Sequence, residues 1–223
     1  MALVLHYHPL SSFCHKVLIA LYEKEIDFDL HHLDLAAPGV RERFNALWPV
    51  GKMPVLEDSG RGQVMGEASI IIEYLDLHYP GARQMLPADA DAALEVRLWG
   101  QIMDNYVQHQ MQKCVTDGMR PEGKGDPFGV TEAAACIKNC FRLINDRMKD
   151  RAWLAGEDFS LADCAAEPAL FYGRLVVPME DFPHLSAYFE RLIARPTVAR
   201  VLEEARPWFH LLPVADRLEA RFC

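Results

Sequence analysis

The stretch LVLHYHPLSSFCHKVLIALYEK (residues 3–24) decides the fold class, because a short β-prone run passes through Ser11-Ser12-Phe13-Cys14 straight into a helical pattern. A helix N-terminus carries unpaired N–H donors and a partial positive charge, and both favour an anionic sulfur over a neutral thiol. Two further segments follow it, GKMPVL (51–56) and GEASIIIEYL (66–75). Together the three segments predict a site in which a hydroxyl and backbone donors face a thiolate.

Length and composition indicate a globular chain. Its 223 residues are 51% hydrophobic and 25% charged, enough to bury a sizeable core in one domain or two. The net charge of -9, with no cluster of Lys and Arg, argues against nucleic acid or an anionic membrane as a main partner. The start lacks the basic and apolar regions of a signal peptide, and no apolar run is long enough to span a bilayer. We therefore expect a cytoplasmic protein.

The cysteines and the early histidines predict packing roles, and we expect no metal. The six cysteines have neither disulfide nor zinc-ligand spacing; they are Cys14, Cys114, Cys136, Cys140, Cys164 and Cys223. Cys136 and Cys140 lie four apart on a predicted helix, and both are expected to be buried small hydrophobic residues. His6 and His8 alternate along the first strand, and neither has a carboxylate or cysteine at ligand spacing.

The sequence pattern changes after residue 80. Before that point, predicted strands at 3–8, 28–33, 55–56 and 63–65 alternate with predicted helices at 13–25 and 67–78, and an irregular stretch runs through Pro38 and Pro49. Pro and Gly in 81–87 predict a linker. Beyond it every periodic segment has helical spacing. We expect an α+β protein with a mixed domain over 1–80 and an all-helical domain over 88–223.

In this helical half, two predicted helices each have a face of mostly apolar residues, as is typical of helices that pack on a core. The first comprises Trp99, Met103, Tyr106, Val107 and Gln110. The second comprises Leu185, Tyr188, Phe189 and Leu192, with Ile193 beside them. On a third predicted helix, Cys140 shares an apolar stripe with Ile137, Phe141, Ile144 and Met148.

These motifs, in this order, resemble those of the cytosolic glutathione S-transferase superfamily over nearly the whole chain. FSLAD (159–163) is similar to the helix-capping box of that family, in which Ser160 and Asp163 cap each other's backbone groups. The resemblance implies a thioredoxin-like N-terminal domain followed by an all-α C-terminal domain, with glutathione as co-substrate, usually in a homodimer. Serine, a short spacer and Cys-x-Lys-Val resemble the theta and zeta classes and many bacterial relatives.

The resemblance places Ser11 at the catalytic serine of the family, with Ser12 one position later as the alternative. Either hydroxyl would donate a hydrogen bond to the glutathione thiolate. Lowering a thiol pKa by two units from ~8.5 needs roughly 3 kcal/mol, and a charged hydrogen bond supplies about 1.5–3 kcal/mol. Capping of the helix is the competing role for these serines. Cys14 is expected to be buried and inert.

Glutathione binding is assigned by the same resemblance. Met53-Pro54 matches the cis-proline dipeptide whose backbone pairs with the cysteinyl part of glutathione. Lys52 is a candidate for the glycyl carboxylate, and an exposed loop lysine is the alternative. Glu67, at the start of a helix, would pair with the γ-glutamyl ammonium, while the helix N-terminus at Ala68 would face the γ-glutamyl carboxylate.

Two positions depart from the family pattern. Ala68 stands where relatives carry serine, so one side-chain hydrogen bond to glutathione is missing. Ser69 is a poor substitute, because a helix advances about 100° per residue and turns its side chain elsewhere. Trp48 replaces an asparagine that is frequent in relatives and is expected to reshape the rim of the site.

A pocket for the second substrate, a small hydrophobic electrophile, is also implied between the domains. Its candidate lining residues are Leu10, Tyr106, Gln110, Trp208 and Phe209, although aromatic residues at helical spacing usually belong to a core. Two functions remain open. One is a glutathione transferase, including related isomerisation or dehalogenation; the other is a non-catalytic binding or regulatory protein on the same fold.

Overall fold

A four-stranded mixed sheet with the strand order β2-β1-β3-β4 organises the N-terminal half of the computed structural model, which describes residues 2–222. The strands are β1 (Leu3–Tyr7), β2 (Asp29–His32), β3 (Val55–Asp58) and β4 (Gln63–Met65). β2 runs parallel to β1, and β3 pairs antiparallel with both β1 and β4. All four strands occupy the segments predicted from the β-prone runs.

The helices of the described chain follow the expected order. They are α1 (Ser12–Glu23), α2 (Val40–Leu47), α3 (Ala68–His78), α4 (Ala90–Ile102), α5 (His109–Asp117), α6 (Pro127–Arg147), α7 (Leu161–Gly173), α8 (Pro183–Ile193) and α9 (Pro196–Ala205). A π-helical segment, Met103–Gln108, joins α4 to α5. The thioredoxin-like half and the helical half form the glutathione S-transferase fold. The domain boundaries at 80 and 88 stay a prediction, in the interval between α3 and α4.

The stretch through Pro38 and Pro49 is not irregular as expected, because it contains the helix α2. Its apolar residues Val40, Phe44 and Leu47 recur at helical spacing, a signal that the two flanking prolines masked, and of the eight residues only Phe44 is buried. Phe44 packs with Leu33 and Val55 in a small cluster on one side of the sheet. Phe44, with the partly buried Val40 and Leu47 beside it, therefore packs this helix on the sheet.

The π-helical segment corrects the face predicted for the long helix. Three of the five residues of that predicted face are buried: Trp99, Met103 and Val107. Tyr106, however, is 51% exposed and Gln110 is half-buried. The wider i→i+5 turns rotate the helix face within Met103–Gln108, and the buried series continues at Met111.

Other predicted faces agree with the structure except at the two α6 cysteines. The α8 face is buried: Leu185, Tyr188, Phe189 and Leu192. The α6 stripe is buried as well: Ile137, Phe141, Ile144 and Met148. Cys136 and Cys140 are only half-buried, which corrects the expectation of full burial, since they lie toward the solvent side of that stripe. Cys223 lies outside the described residues.

The predicted capping box is present at the start of α7. The Ser160 N–H donates to Asp163 Oδ2 at 2.9 Å, and Asp163 Oδ1 accepts from the Leu154 N–H at 2.9 Å and from the Tyr188 hydroxyl at 2.6 Å. Burial raises the pKa of Asp163 to about 6, against the lowering effect of these hydrogen bonds. Asp163 thus ties together α7, the preceding loop and α8, which is a folding role.

Buried charged pairs attach α1 to the helical half. Lys16 Nζ lies 2.6 Å from Asp104 Oδ2 in the π-helical segment. Glu23, at the end of α1, accepts two hydrogen bonds of 2.6 Å from the Arg195 guanidinium. The bidentate Arg195–Glu23 pair is directional, and together the two contacts hold α1 to the helical half at its second turn and at its C-terminal end. Among residues 2–222 no helix has the length and apolar character needed to cross a membrane.

Candidate functional site

One edge of the sheet gathers the residues predicted to bind and activate glutathione. The strand register pairs His6 with Val55 and Leu56 with Met65. Consequently the chain leaving β1, the chain entering β3 and the chain leaving β4 meet at one edge. The predicted residues on these three segments are Ser11, Pro54 and Glu67. Because α1 and α3 both begin there, two helix N-termini face the same edge.

Ser11 is the N-cap residue of α1, but its hydroxyl makes no capping hydrogen bond. Its backbone is extended, with φ −75° and ψ 113°, and its side chain is half-buried, whereas the side chain of Ser12 is buried. The Ser11 carbonyl accepts the Cys14 N–H at 2.8 Å. The competing role as a side-chain cap is therefore absent at Ser11.

Cys14 is fully buried and makes an inert thiol, as predicted. Burial raises its pKa to about 12, although hydrogen bonds with the Ser11 side chain and the His8 backbone act in the opposite direction. A neutral thiol is a poor nucleophile. Cys14 is therefore unsuited to act as a nucleophile at this edge of the sheet.

The Met53–Pro54 peptide bond is cis, as predicted. Pro54 is buried at the start of β3, and Met53 is half-buried beside it. Lys52 is exposed and forms no ion pair with another residue of the described chain. A free ammonium group two residues from the cis bond is thus available to an anion.

Glu67 turns the chain into α3 with a positive φ of 65°, which is uncommon for a residue other than glycine. Its carboxylate is exposed and has no hydrogen-bond partner within residues 2–222. Ala68, 6% exposed, begins the helix. Ser69 Oγ accepts a hydrogen bond from Lys16 Nζ at 2.7 Å. The Ser69 hydroxyl is thus engaged by α1 and does not replace the hydroxyl that a serine at position 68 would provide.

Trp48 packs directly on Gly66, the residue before Glu67. A Cβ atom at Gly66 would lie 2.7 Å from both Nε1 and Cε2 of the indole, so only glycine fits beneath the ring. The indole also contacts the small cluster that contains Phe44. Trp48 therefore supports the turn into α3.

Two of the five residues proposed to line the second-substrate pocket lie at the same sheet edge. The Leu10 N–H donates to His8 Nδ1 at 3.1 Å, and the Leu10 carbonyl accepts from the Tyr172 hydroxyl at 3.0 Å. Trp208 is half-buried, with its ring 5.3 Å from that of His8 and 4.7 Å from that of His32. Leu10 and Trp208 thus flank the end of β1.

The other three residues have different surroundings. Phe209 is 4% exposed and stacks on Phe171 in the core, with ring centroids 5.5 Å apart. Tyr106 is exposed on the π-helical segment, and Gln110 lines a groove between α5 and α6 with Lys113. Their place in a substrate pocket stays a prediction, and the core packing of Phe209 does not support it.

The histidines of the sheet are packed or hydrogen-bonded, as predicted. His6 Nε2 lies 3.2 Å from Glu57 Oε2, and the His6 ring lies 4.8 Å from that of His31. Burial lowers the pKa values of His6 and His8, so both favour the neutral form. In the described part of the chain, no group of three or more His, Cys, Asp or Glu side chains is placed to hold a metal ion.

Sequence reasoning missed three buried polar residues near Ser11. His15 and Tyr172 hydrogen-bond the carbonyl groups of Pro9 and Leu10, and Glu167 lies beside His15. One signal was present, because Glu167 is a lone carboxylate in the interior of the otherwise apolar run AAEPALF (165–171). Such a residue is expected to have a specific partner. The partner itself cannot be read from local spacing, since it lies on another helix.

Comparison with known families decides the membership of the chain. The family model for the glutathione S-transferase N-terminal domain matches residues 5–83, and the model for the C-terminal domain matches residues 129–196. The chain belongs to the glutathione S-transferase superfamily. It is 26% identical over 211 residues to a glutathione S-transferase of Hyoscyamus muticus, covering 91% of this chain and 99% of that relative.

The chain is also similar to two further proteins, a solved structure and a curated relative. A solved glutathione S-transferase from Methylobacillus flagellatus, with glutathione bound, superposes with a TM-score of 0.82 at 28% identity, covering 89% of this chain and 98% of that one. A stringent starvation protein A homolog of Coxiella burnetii is 28% identical over 169 residues, covering 76% of this chain and 75% of that relative.

Proposed function

We propose that this protein is a glutathione transferase that adds the thiolate of glutathione to a small hydrophobic electrophile. The observation that carries the proposal is that three features lie at one edge of the sheet. They are the Ser11 hydroxyl, which makes no capping hydrogen bond, the cis Met53–Pro54 bond and the N-terminus of α3. A thiolate placed there is stabilised by one hydroxyl and by two helix termini.

Each part of glutathione has a matching group along this edge. The γ-glutamyl ammonium pairs with the exposed Glu67 carboxylate, and its carboxylate meets the free N–H groups at Ala68. The backbone beside Pro54 pairs with the cysteinyl unit, and the exposed Lys52 faces the glycyl carboxylate. The two ends of the tripeptide are thereby held while its sulfur points to Ser11.

Ser11 is favoured over Ser12 as the activating residue. The Ser11 side chain is half-buried and its hydroxyl caps no backbone N–H of the helix, its one described contact being the Cys14 thiol, whereas the Ser12 side chain is buried. A hydroxyl must reach the ligand sulfur in order to donate to it, so accessibility favours Ser11. A serine in this position supports assignment to a theta-like or zeta-like serine class.

The electrophile is proposed to enter beside Leu10 and Trp208. Both side chains are half-buried at the end of β1 and present largely apolar surface, which suits a small hydrophobic molecule. The cysteines of the described chain are free thiols, and this fits a reducing cytoplasm, where glutathione is kept reduced.

A non-catalytic binding or regulatory role is the second candidate. It is favoured by Ala68, which provides no hydroxyl for the γ-glutamyl carboxylate, and by the similarity to a relative named stringent starvation protein A homolog. The test combines calorimetric titration of glutathione with turnover of a dinitrophenyl halide. Binding with turnover supports the transferase, binding without turnover favours the second candidate, and no binding at millimolar glutathione overturns the proposal.

We also propose a two-fold homodimer through an apolar patch on α3 and α4. Four exposed large side chains form this patch: Ile70, Leu77, Leu94 and Leu98. The exposed Arg97–Glu73 ion pair, 2.8 Å long, joins the two helices within it. Exposed apolar patches of this kind mark interfaces between proteins.

Light scattering across the micromolar range tests the assembly. Leu94→Glu is expected to give monomers, because it buries a charge in the patch. Leu143→Glu is the matched control, since Leu143 is 50% exposed on α6, away from the patch, and should leave the dimer intact. A monomeric wild type, or a dimeric Leu94→Glu variant, would contradict the proposed interface.

A further inference from the structure

Both central carbonyl groups of the Ser11 turn, residues 8–11, accept hydrogen bonds from buried side chains. His15 Nε2 lies 2.7 Å from the Pro9 oxygen, and the Tyr172 hydroxyl donates to the Leu10 oxygen at 3.0 Å. The turn itself is closed by a 2.9 Å bond from the Ser11 N–H to the carbonyl of residue 8. Two successive peptide planes immediately before Ser11 are thus held by side chains.

The imidazole of His15 connects this turn to α7. Because a carbonyl oxygen can only accept, Nε2 must carry the hydrogen that bonds to Pro9, and Nδ1 then faces Glu167. The Nδ1–Oε2 distance is 3.4 Å, and both side chains are completely buried. Neither carboxyl oxygen of Glu167 has a hydrogen-bond partner in the described chain.

The buried His15–Glu167 pair is not expected to stabilise the fold by itself. Burying a carboxyl group with one long contact to an imidazole costs free energy that an apolar side chain would not. Glu167 and Tyr172 lie on the same helix, α7; Tyr172 bonds the Leu10 carbonyl directly, whereas Glu167 reaches the Pro9 carbonyl only through His15. Burial raises the pKa of Tyr172 well above its usual value, so its hydroxyl stays protonated and keeps donating.

The direction of the Ser11 hydroxyl depends on the peptide planes that precede it. Hydrogen-bond strength falls steeply when the donor angle or distance departs from its optimum. His15 and Tyr172 fix the carbonyl oxygens of the two peptides, and the Ser11 side chain that follows them is half-buried. A small rotation of the turn would weaken a bond from this hydroxyl to a bound sulfur.

We propose that His15, Glu167 and Tyr172 are positioning residues for Ser11: they hold the turn against α7 and so set the strength of the Ser11–thiolate hydrogen bond. The inference rests on the proposed role of Ser11 in activating glutathione. It assigns to a helix of the C-terminal half a part in the chemistry of the N-terminal half.

The test compares Tyr172→Phe with Tyr188→Phe. Each change removes one buried hydroxyl, from Leu10 O in the first case and from Asp163 in the second, and preserves the ring. Tyr172→Phe is expected to speed hydrogen–deuterium exchange over residues 9–13 and to raise the pKa of the bound glutathione thiol. It should lower kcat at neutral pH about 2- to 10-fold, with the glutathione KM within about twofold of wild type.

Tyr188→Phe should lower Tm but leave unchanged both the rate of hydrogen–deuterium exchange over residues 9–13 and the pKa of the bound glutathione thiol. Glu167→Gln, which preserves volume, is the second variant if Tyr172→Phe does not fold, and it should shift the thiol pKa in the same direction. An unchanged thiol pKa in these variants, with or without faster exchange, overturns the positioning role. If Ser11→Ala shifts the thiol pKa and Tyr172→Phe does not, only this inference fails; if neither shifts it, the proposed role of Ser11 fails as well.

Discussion

Replacing Ser11 with alanine should separate catalysis from stability. An N-cap serine that bonds its helix is worth about 1 kcal/mol, but the Ser11 hydroxyl makes no such bond. Its side chain is half-buried, and its one described contact is with the Cys14 thiol. We therefore expect the free energy of unfolding of Ser11→Ala to stay within about 0.5 kcal/mol of wild type.

The effect on the bound thiol should be much larger. A hydrogen bond to a charged sulfur contributes about 1.5–3 kcal/mol, so its loss raises the thiol pKa by about one to two units. At neutral pH this lowers the thiolate fraction, and with it the rate, by a factor of about ten or more. The N-terminus of α1 still faces the sulfur and should retain part of the pKa depression. Glutathione affinity should change little, since in the proposed binding mode Lys52 and Glu67 hold the two ends of the ligand.

The assay is the pH dependence of kcat/KM, together with the thiolate absorbance of the glutathione complex, for wild type, Ser11→Ala and Ser12→Ala. Thermal unfolding and calorimetric titration of the same proteins supply the stability and the affinity. If Ser12→Ala alone shifts the profile, the activating residue is Ser12. If neither variant shifts it, activation by a serine is refuted and the non-catalytic role gains support.

Two further predictions concern the surroundings of the site, and a third concerns the ion pair at the C-terminal end of α1. Ala68→Ser should tighten glutathione binding by about 0.5–1.5 kcal/mol, a few-fold to about tenfold by calorimetry, and unchanged affinity would mean that the backbone already satisfies the γ-glutamyl carboxylate. Gly66→Ala should cost about 1–3 kcal/mol in denaturant unfolding, because its Cβ atom meets the Trp48 indole at 2.7 Å; adding Trp48→Ala should recover stability, and no recovery would contradict this packing. Burial opposes ionisation of Glu23, but hydrogen bonds, chiefly from Arg195, lower the pKa of Glu23 below the usual 4.5. The ionised Glu23 therefore stabilises the folded state above pH 4.5, and this stabilisation is lost as the pH falls through the lower pKa of the folded state. Glu23→Gln should accordingly narrow the difference in Tm between neutral and acid pH, and an unaltered difference would refute the linkage.

The sequence by itself determined the features that rest on local chemistry. Alternating and helical periodicities marked the strands and most helices, since one buried face imposes its period on the residues of an element. The FSLAD motif predicted the capping box at Ser160 and Asp163, because both partners lie within one turn. Motif order indicated the cis Met53–Pro54 bond and the membership in the glutathione S-transferase superfamily. The candidate residues Ser11, Lys52 and Glu67 came from the same order and stay a prediction until they are tested.

Tertiary structure decided what depends on residues far apart in the chain. The packing of helix α2 depends on Phe44, which is buried against Leu33 and Val55 from other segments of the chain. The π-helical turns that expose Tyr106 depend on the helices packed around them. The packing of the Trp48 indole on Gly66 likewise joins two separate segments. The contact between His15 and Glu167 joins positions 152 residues apart on two helices. Such contacts follow from how the helices pack on each other, and no window of sequence contains both partners.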